Sequence, residues 1–183
     1  MSALLVSQFI TDEERAALVE TAAEYLARGV LERNKAGVKR YRKKVFNTQY
    51  CTPLVSDLAK RIAKHMGIED CPVDPYLGWI ISVIQPGGFI QPHRDAQQHY
   101  QQTGDKHLRC NLLVQGSHPS TRPRIGDLRL RASEGDLWAF FASDHVHGTD
   151  VIEGDENRIV YQFGFVVPKD HPLAEMRGQW VTE

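Results

Sequence analysis

Three things are missing from this 183-residue sequence: a long apolar run, a charge excess and a cysteine framework. No apolar stretch approaches the roughly 18 residues of a membrane span, so no membrane partner is expected. Lysine plus arginine number 22 against 23 acidic residues, a net charge of −1, which leaves no whole-molecule field for nucleic acid or anionic lipid. The cysteines are three, Cys51, Cys71 and Cys110. An odd set without metal-type spacing argues against a disulfide scaffold or zinc cluster and suits a reduced compartment. The opening MSALLVSQFITDEE has neither the basic start nor the small-residue cleavage site of a signal peptide, and a cytoplasmic location is expected. Repeats, low-complexity tracts and linkers are also missing. The length then fits one domain over 1–183, since two would each be short of buried surface.

What is present divides into an α-rich front, 1–70, and a β-rich back, 76–167. Thr11-Asp12-Glu13-Glu14 has the form of a capping box. Ala17, Leu18, Ala22, Tyr25 and Leu26 follow at helical spacing, and Gly29 stands where a helix can stop. A second helix is expected over Pro53 to Met66, with Leu54, Leu58, Ile62 and Met66 on one stripe and Gly67 after it. From Tyr76 the pattern changes to short strands: Leu77–Ile84, Phe89–Asp95, Leu108–Gln115, Asp127–Arg131, Leu137–Phe141 and Arg158–Val167. Pro86-Gly87-Gly88 and Glu134-Gly135-Asp136 are turn signals between them. Strands so spaced point to an all-β sandwich or barrel, with the front helices covering one sheet face.

His93-Arg94-Asp95 sets an imidazole and a carboxylate at i and i+2, which on a strand leave the same face. Both can reach one ion, and a histidine from a distant strand would complete a 2-His-1-carboxylate facial triad suited to iron(II), with coordination positions left open. Eight histidines and 23 acidic residues make about one such triplet expected by chance, so the motif alone decides little. Downstream stand His147-Gly148-Thr149-Asp150-Val151-Ile152-Glu153-Gly154, then Asp155-Glu156-Asn157-Arg158 and the apolar strand Ile159–Val167.

Taken together, these residues resemble the Fe(II)/2-oxoglutarate-dependent oxygenase superfamily on its prolyl-hydroxylase-like side. The resemblance covers about Trp79 to Val167 and implies a double-stranded β-helix (jelly-roll, cupin-like) with N-terminal helices packed on one sheet. It implies iron held by His93, Asp95 and His147, with 2-oxoglutarate and O₂ as co-substrates. His145 competes for the third position, lying two residues earlier on the same face of a regular strand. The family pattern around His147 favours the latter, and His99 is a weaker candidate in the polar stretch Ala96–Lys106. His65, His107, His118 and His171 read as structural or solvent-facing.

The family places an Arg or Lys about ten residues after the distal histidine, to hold the far carboxylate of 2-oxoglutarate. Arg158 follows His147 by eleven residues, and a guanidinium meets a carboxylate with two parallel hydrogen bonds. The bland reading of Arg158 is a surface salt bridge with Glu153 or Asp155. Arg109 and Asn111 share a strand face opposite Cys110, Leu112 and Val114; the resemblance implies co-substrate contacts, and the alternative is a barrel-rim position with no ligand contact. The implied activity is hydroxylation of an amino acid, a peptide-borne side chain or a small natural product, coupled to conversion of 2-oxoglutarate to succinate. Asp95 fits oxygen insertion, because the halogenating branch of the superfamily lacks that carboxylate.

Two other classes stand beside it. One is a non-catalytic β-barrel binding module for nucleic acid or protein, drawing on the basic cluster Arg33, Lys35, Lys39, Arg40, Arg42, Lys43 and Lys44. The other is a cupin-like metal protein that does not consume O₂. The basic cluster itself is expected to be a solvated segment between the helices, so nucleic acid is a minor expectation. Gly116–Gly126, with Arg122 and Arg124, reads as a solvated loop near the barrel mouth, the alternative being a hold on a substrate carboxylate or phosphate, and Trp79 and Trp138 read as core.

Overall fold

The computed structural model describes residues 3–95 and 102–175. In chain order they form β1 (Ala3–Val6), α1 (Asp12–Ala27), β2 (Glu32–Arg33), β3 (Gly37–Lys44), α2 (Pro53–Met66), β4 (Trp79–Ile90), β5 (Lys106–Gln115), β6 (Pro123–Ile125), β7 (Leu128–Arg129), β8 (Leu137–Phe141), β9 (His147–Thr149), β10 (Arg158–Val167) and the short α3 (Pro172–Glu175). No described helix is long and apolar enough to cross a membrane.

Two antiparallel sheets face one another. The larger has seven strands in the order β1-β8-β5-β10-β4-β3-β2, and the smaller has three, β7-β6-β9. Strand alternation sorts their side chains. On β5 and β10, Leu108, Cys110, Leu112 and Val114, with Ile159, Tyr161, Phe163, Phe165 and Val167, share one apolar cluster with Leu18, Ala22, Leu58 and Ile62 of α1 and α2. The intervening residues point the other way. Leu113 and Val160 meet Ile125 and Leu130 of the smaller-sheet side, while Arg109, Asn111, Arg158 and Gln162 line a cavity between the sheets.

Both long helices begin and end on the expected chemistry. The Thr11 hydroxyl accepts from Glu14 N–H, and the Glu14 carboxylate accepts from Thr11 N–H. Gly67 closes α2 in the left-handed region at φ 64°, where a side chain would be strained.

Three readings need correction. The front of the chain is not only helical, since β1, β2 and β3 join the larger sheet. The basic cluster is mostly strand: GVKRYRKK pairs along β4, a nonlocal pairing that its charge pattern hides; Arg33, Lys35, Lys39 and Lys44 are solvated as expected, but Arg40 is buried. Second, Pro86-Gly87-Gly88 does not separate two strands. β4 runs through it, and the register against β3 jumps from Val38↔Phe89 to Arg40↔Ile84, so the turn signal marks a bulge. A Cβ on Gly88 would lie 2.5 Å from the Val38 carbonyl oxygen. Third, Gly116–Gly126 is no plain loop, for it contains β6, which pairs with β9.

The fully buried Tyr161 hydroxyl donates to the Leu18 carbonyl at 2.8 Å, tying β10 to α1. Tyr161→Phe keeps the ring and removes that bond. It is expected to cost about 1 kcal/mol in urea unfolding with an unchanged m-value; a variant as stable as the parent would show that the bond adds nothing to helix docking.

Candidate metal centre

Beyond β4 the chain stays extended and crosses to the smaller sheet. His93 N–H donates to the His147 carbonyl at 3.0 Å and His147 N–H to the His93 carbonyl at 2.8 Å, while Asp95 N–H reaches the Ala142 carbonyl at 3.1 Å. These bonds bring two segments far apart in sequence side by side. Asp95 Oδ1 then lies 3.5 Å from His93 Nε2 and 3.8 Å from His147 Nε2. One ligand atom from each of the three residues falls within 4.8 Å of the others.

The rest of each imidazole is committed. Nδ1 of His93 faces the Gln91 carbonyl at 2.8 Å and Nδ1 of His147 faces the His145 carbonyl at 3.0 Å. A carbonyl only accepts, so each Nδ1 carries a hydrogen, which leaves Nε2 as the atom that offers a lone pair to a metal once deprotonated. Burial pushes His147 down to about 4, leaving it neutral near pH 7. The hydrogen bond with Asp95 raises His93, and a cation between them would displace that proton. Burial works to raise Asp95, but the bond to His93 and the charge of Arg109 outweigh it and hold the carboxyl well below its usual range. Two neutral imidazoles and one ionised carboxylate on a single face fit iron(II).

His145 is not part of this group; its carbonyl orients His147 instead. His99 lies outside the described residues. His118 accepts from Ser120 N–H at 3.2 Å, His171 from Leu173 N–H at 3.1 Å, and His65 packs edge-on against Phe9. His107 takes the structural one of its two expected roles. It is fully buried, with Nε2 3.1 Å from Asp74 and Nδ1 3.5 Å from Asp95, and packs behind the triad's carboxylate. Its spacing from Arg109 and Asn111, two and four residues along one strand, was the available signal.

The triad opens on a cavity of about 190 Å³ lined from both sheets. Arg109 donates to Asp95 at 3.2 Å, while its other terminal nitrogen, Nη1, is buried with no hydrogen-bond partner among the described residues. Asn111 accepts from Gln162 Nε2 at 2.9 Å, an amide pair on the cavity wall. Arg158 is 3 % exposed, which excludes the surface salt bridge. Its Nε donates to the Thr121 carbonyl at 2.6 Å, and its guanidinium stacks over Trp138 at 5.8 Å. Trp138 is thus cavity wall as well as core, whereas Trp79 packs with Phe46 and Phe163. Burial pushes Arg158 down to about 9, with the nearby charge of Arg40 adding to it. Arg40 and Arg42, read from sequence as part of a solvated cluster, also line this cavity.

No family model and no curated protein matches the sequence. Solved structures do match. A viral collagen prolyl hydroxylase from Paramecium bursaria Chlorella virus-1, determined as a 2-oxoglutarate complex, aligns over 92 % of this chain and 97 % of its own at TM-score 0.68 and 8 % identity. The chain has the fold of the prolyl-hydroxylase-like 2-oxoglutarate oxygenases. A Pseudomonas putida prolyl-4-hydroxylase aligns over 91 % and 92 % at TM-score 0.64 and 14 % identity. The non-haem α-ketoglutarate-dependent epimerase SnoN of nogalamycin biosynthesis aligns over 96 % and 82 % at TM-score 0.65 and 16 % identity. The double-stranded β-helix is therefore the architecture here.

Gly148 lets the two ligand segments approach. A Cβ there would stand 2.8 Å from the Ile90 carbonyl oxygen and 3.3 Å from Pro92 nitrogen. Gly148→Ala is expected to destabilise the fold by about 1–3 kcal/mol and to weaken metal binding by about tenfold or more, read by thermal unfolding and anaerobic iron(II) titration. Unchanged metal affinity would show that the spacing of these backbones does not set the triad.

Proposed function

We propose that this chain is a non-haem iron(II)- and 2-oxoglutarate-dependent oxygenase. The carrying observation is the pairing, within one cavity, of a two-histidine, one-carboxylate cluster with a buried arginine that no described acid neutralises. In this reading His93, Asp95 and His147 hold iron, and Arg158 takes the distal carboxylate of 2-oxoglutarate. Arg158 and Arg109 project from opposite ends of the same wall, because Arg109 pairs with Gly164, six residues further along β10. Bound iron would supply the activation of O₂ that is coupled to oxidative decarboxylation of the co-substrate.

The chain's own residues supply position and exclusion. Thr121 and Trp138 fix the Arg158 guanidinium before ligand arrives, which lowers the cost of ordering it on binding. Arg109 holds Asp95 by one nitrogen and offers Nη1 to a ligand oxygen beside the triad. Asn111, locked to Gln162, stiffens the wall between those two arginines. Ile80, Ile90, Ile125 and Phe140 add apolar surface to the lining, which limits water at the reacting centre. Asp95 completes the metal's protein ligands, which supports oxygen insertion, and the substrate class proposed is an amino acid, a peptide side chain or a small natural product.

Anaerobic addition of iron(II) and then 2-oxoglutarate should give a weak visible charge-transfer band. Asp95→Ala should abolish it, and Arg158→Gln should raise the 2-oxoglutarate concentration needed by about tenfold or more while leaving iron affinity unchanged. In air, wild-type protein should release succinate, and its substrate should gain one oxygen atom by mass spectrometry. No band from the wild type would overturn the assignment. A band without O₂ uptake would favour a metal protein that does not consume O₂.

A further inference from the structure

The cavity carries more positive charge than the triad and a co-substrate answer. Among the described residues its lining includes Arg40, Arg42, Arg109, Arg124 and Arg158 against one carboxylate, Asp95. Arg109 is paired with Asp95 and Arg124 with Asp150, and the preceding reading gives Arg158 to 2-oxoglutarate. Arg40 and Arg42 remain, two residues apart on the inner face of β3.

Their direct hydrogen-bond partners are neutral. Arg40 is 5 % exposed, and its Nε donates to Ser82 Oγ at 3.2 Å and Nη1 to Asn34 Oδ1 at 3.4 Å. Arg42 is half-buried, and Glu32, its register partner on β2, has its carboxylate on Lys43 at 2.6 Å. Neither arginine forms an ion pair with a described residue. A guanidinium kept only to knit β3 to β4 would be expected to bond a carboxylate or backbone carbonyls, because burying it without a counter-charge is costly. Burial pushes Arg40 down to about 10, with the charges of Arg42 and Arg109 pressing the same way, the condition that an entering anion relieves.

We propose that Arg40 and Arg42 form an oxyanion subsite for the substrate to be oxidised, separate from the Arg158 site. The substrate then carries a carboxylate or phosphate group near the reacting atom. This rests on the oxygenase reading, in which Arg158 is already occupied. At about 190 Å³ the cavity is smaller than the roughly 300–1,000 Å³ of pockets that enclose a whole drug-sized ligand. Only the reacting end of the substrate, with its anionic group, enters.

The test uses protein loaded anaerobically with iron(II) and 2-oxoglutarate, titrated by calorimetry at fixed ionic strength. The probes are acetate, methylphosphonate and, as a neutral control, acetamide. Wild type should bind one of the two anions saturably and not acetamide, and the preferred anion distinguishes a carboxylate from a phosphate substrate. Arg40→Gln and Arg42→Gln should each weaken that binding by about tenfold or more while changing 2-oxoglutarate affinity less than about twofold. Arg40→Lys, which keeps charge but loses the planar fork, should fall between. If Arg40→Gln does not fold, Arg42→Gln, at a half-buried position, carries the measurement. Anion binding indifferent to both residues, or absent from wild type, would overturn the subsite. So would an Arg40→Gln variant that loses 2-oxoglutarate as severely as Arg158→Gln, since Arg40 would then belong to the co-substrate. Failure of the parent reading appears separately, as wild-type protein that does not bind 2-oxoglutarate at all.

Discussion

Two reciprocal backbone hydrogen bonds, between His93 and His147, hold the site together. They join the extended chain after β4 to β9, so two residues 54 positions apart in the sequence stand at one rung of the smaller sheet. Strand alternation then does the rest. Asp95, two residues on, faces the same way as His93, and the Ala142 carbonyl fixes its backbone. The closeness of the approach depends on Gly148, and the lone pairs are aimed by carbonyl groups on Gln91 and His145. Without that rung the three side chains would sit on unrelated loops.

Around it the larger sheet acts as a sorting device. The same strands that present Leu108, Cys110 and Leu112 to the helices present Arg109 and Asn111 to the cavity, and β10 divides Tyr161 and Phe163 from Arg158 and Gln162 in the same way. The apolar face buys the stability against which buried cations can be held without counter-charges. Arg158, Arg40 and Arg42 each sit where burial disfavours their charge. That arrangement is poor for folding and good for gathering anions.

The sequence made some of this plain and concealed the rest for physical reasons. Local chemistry was legible. The Thr11 capping box, Gly67 after α2, and the alternation of β5 and β10 each depend on neighbours within a few residues. The pairing of His93, Asp95 and His147 could be anticipated because the i, i+2 spacing and the downstream pattern survive as text. β3 was hidden, because its alternation of Arg40, Arg42 and Lys44 with Lys39, Tyr41 and Lys43 reads as a charged stretch until β4 is beside it. The same blindness kept Arg40 out of the site. The spacing of His107 from Arg109 places it on the cavity side, but nothing in the chain announces Asp74 as its partner, and the Pro86-Gly87-Gly88 bulge resembles a turn because both use the same residues.

The central claim is that His93, Asp95 and His147 share one cation and leave positions on it for other ligands. Anomalous diffraction from crystals loaded anaerobically with iron(II) tests this directly. A single strong peak is expected, bonded to His93 Nε2, His147 Nε2 and an Asp95 oxygen, with non-protein ligands completing the shell. A peak bonded to His145 or His107 in place of any of these, or no peak within reach of all three residues, would contradict it.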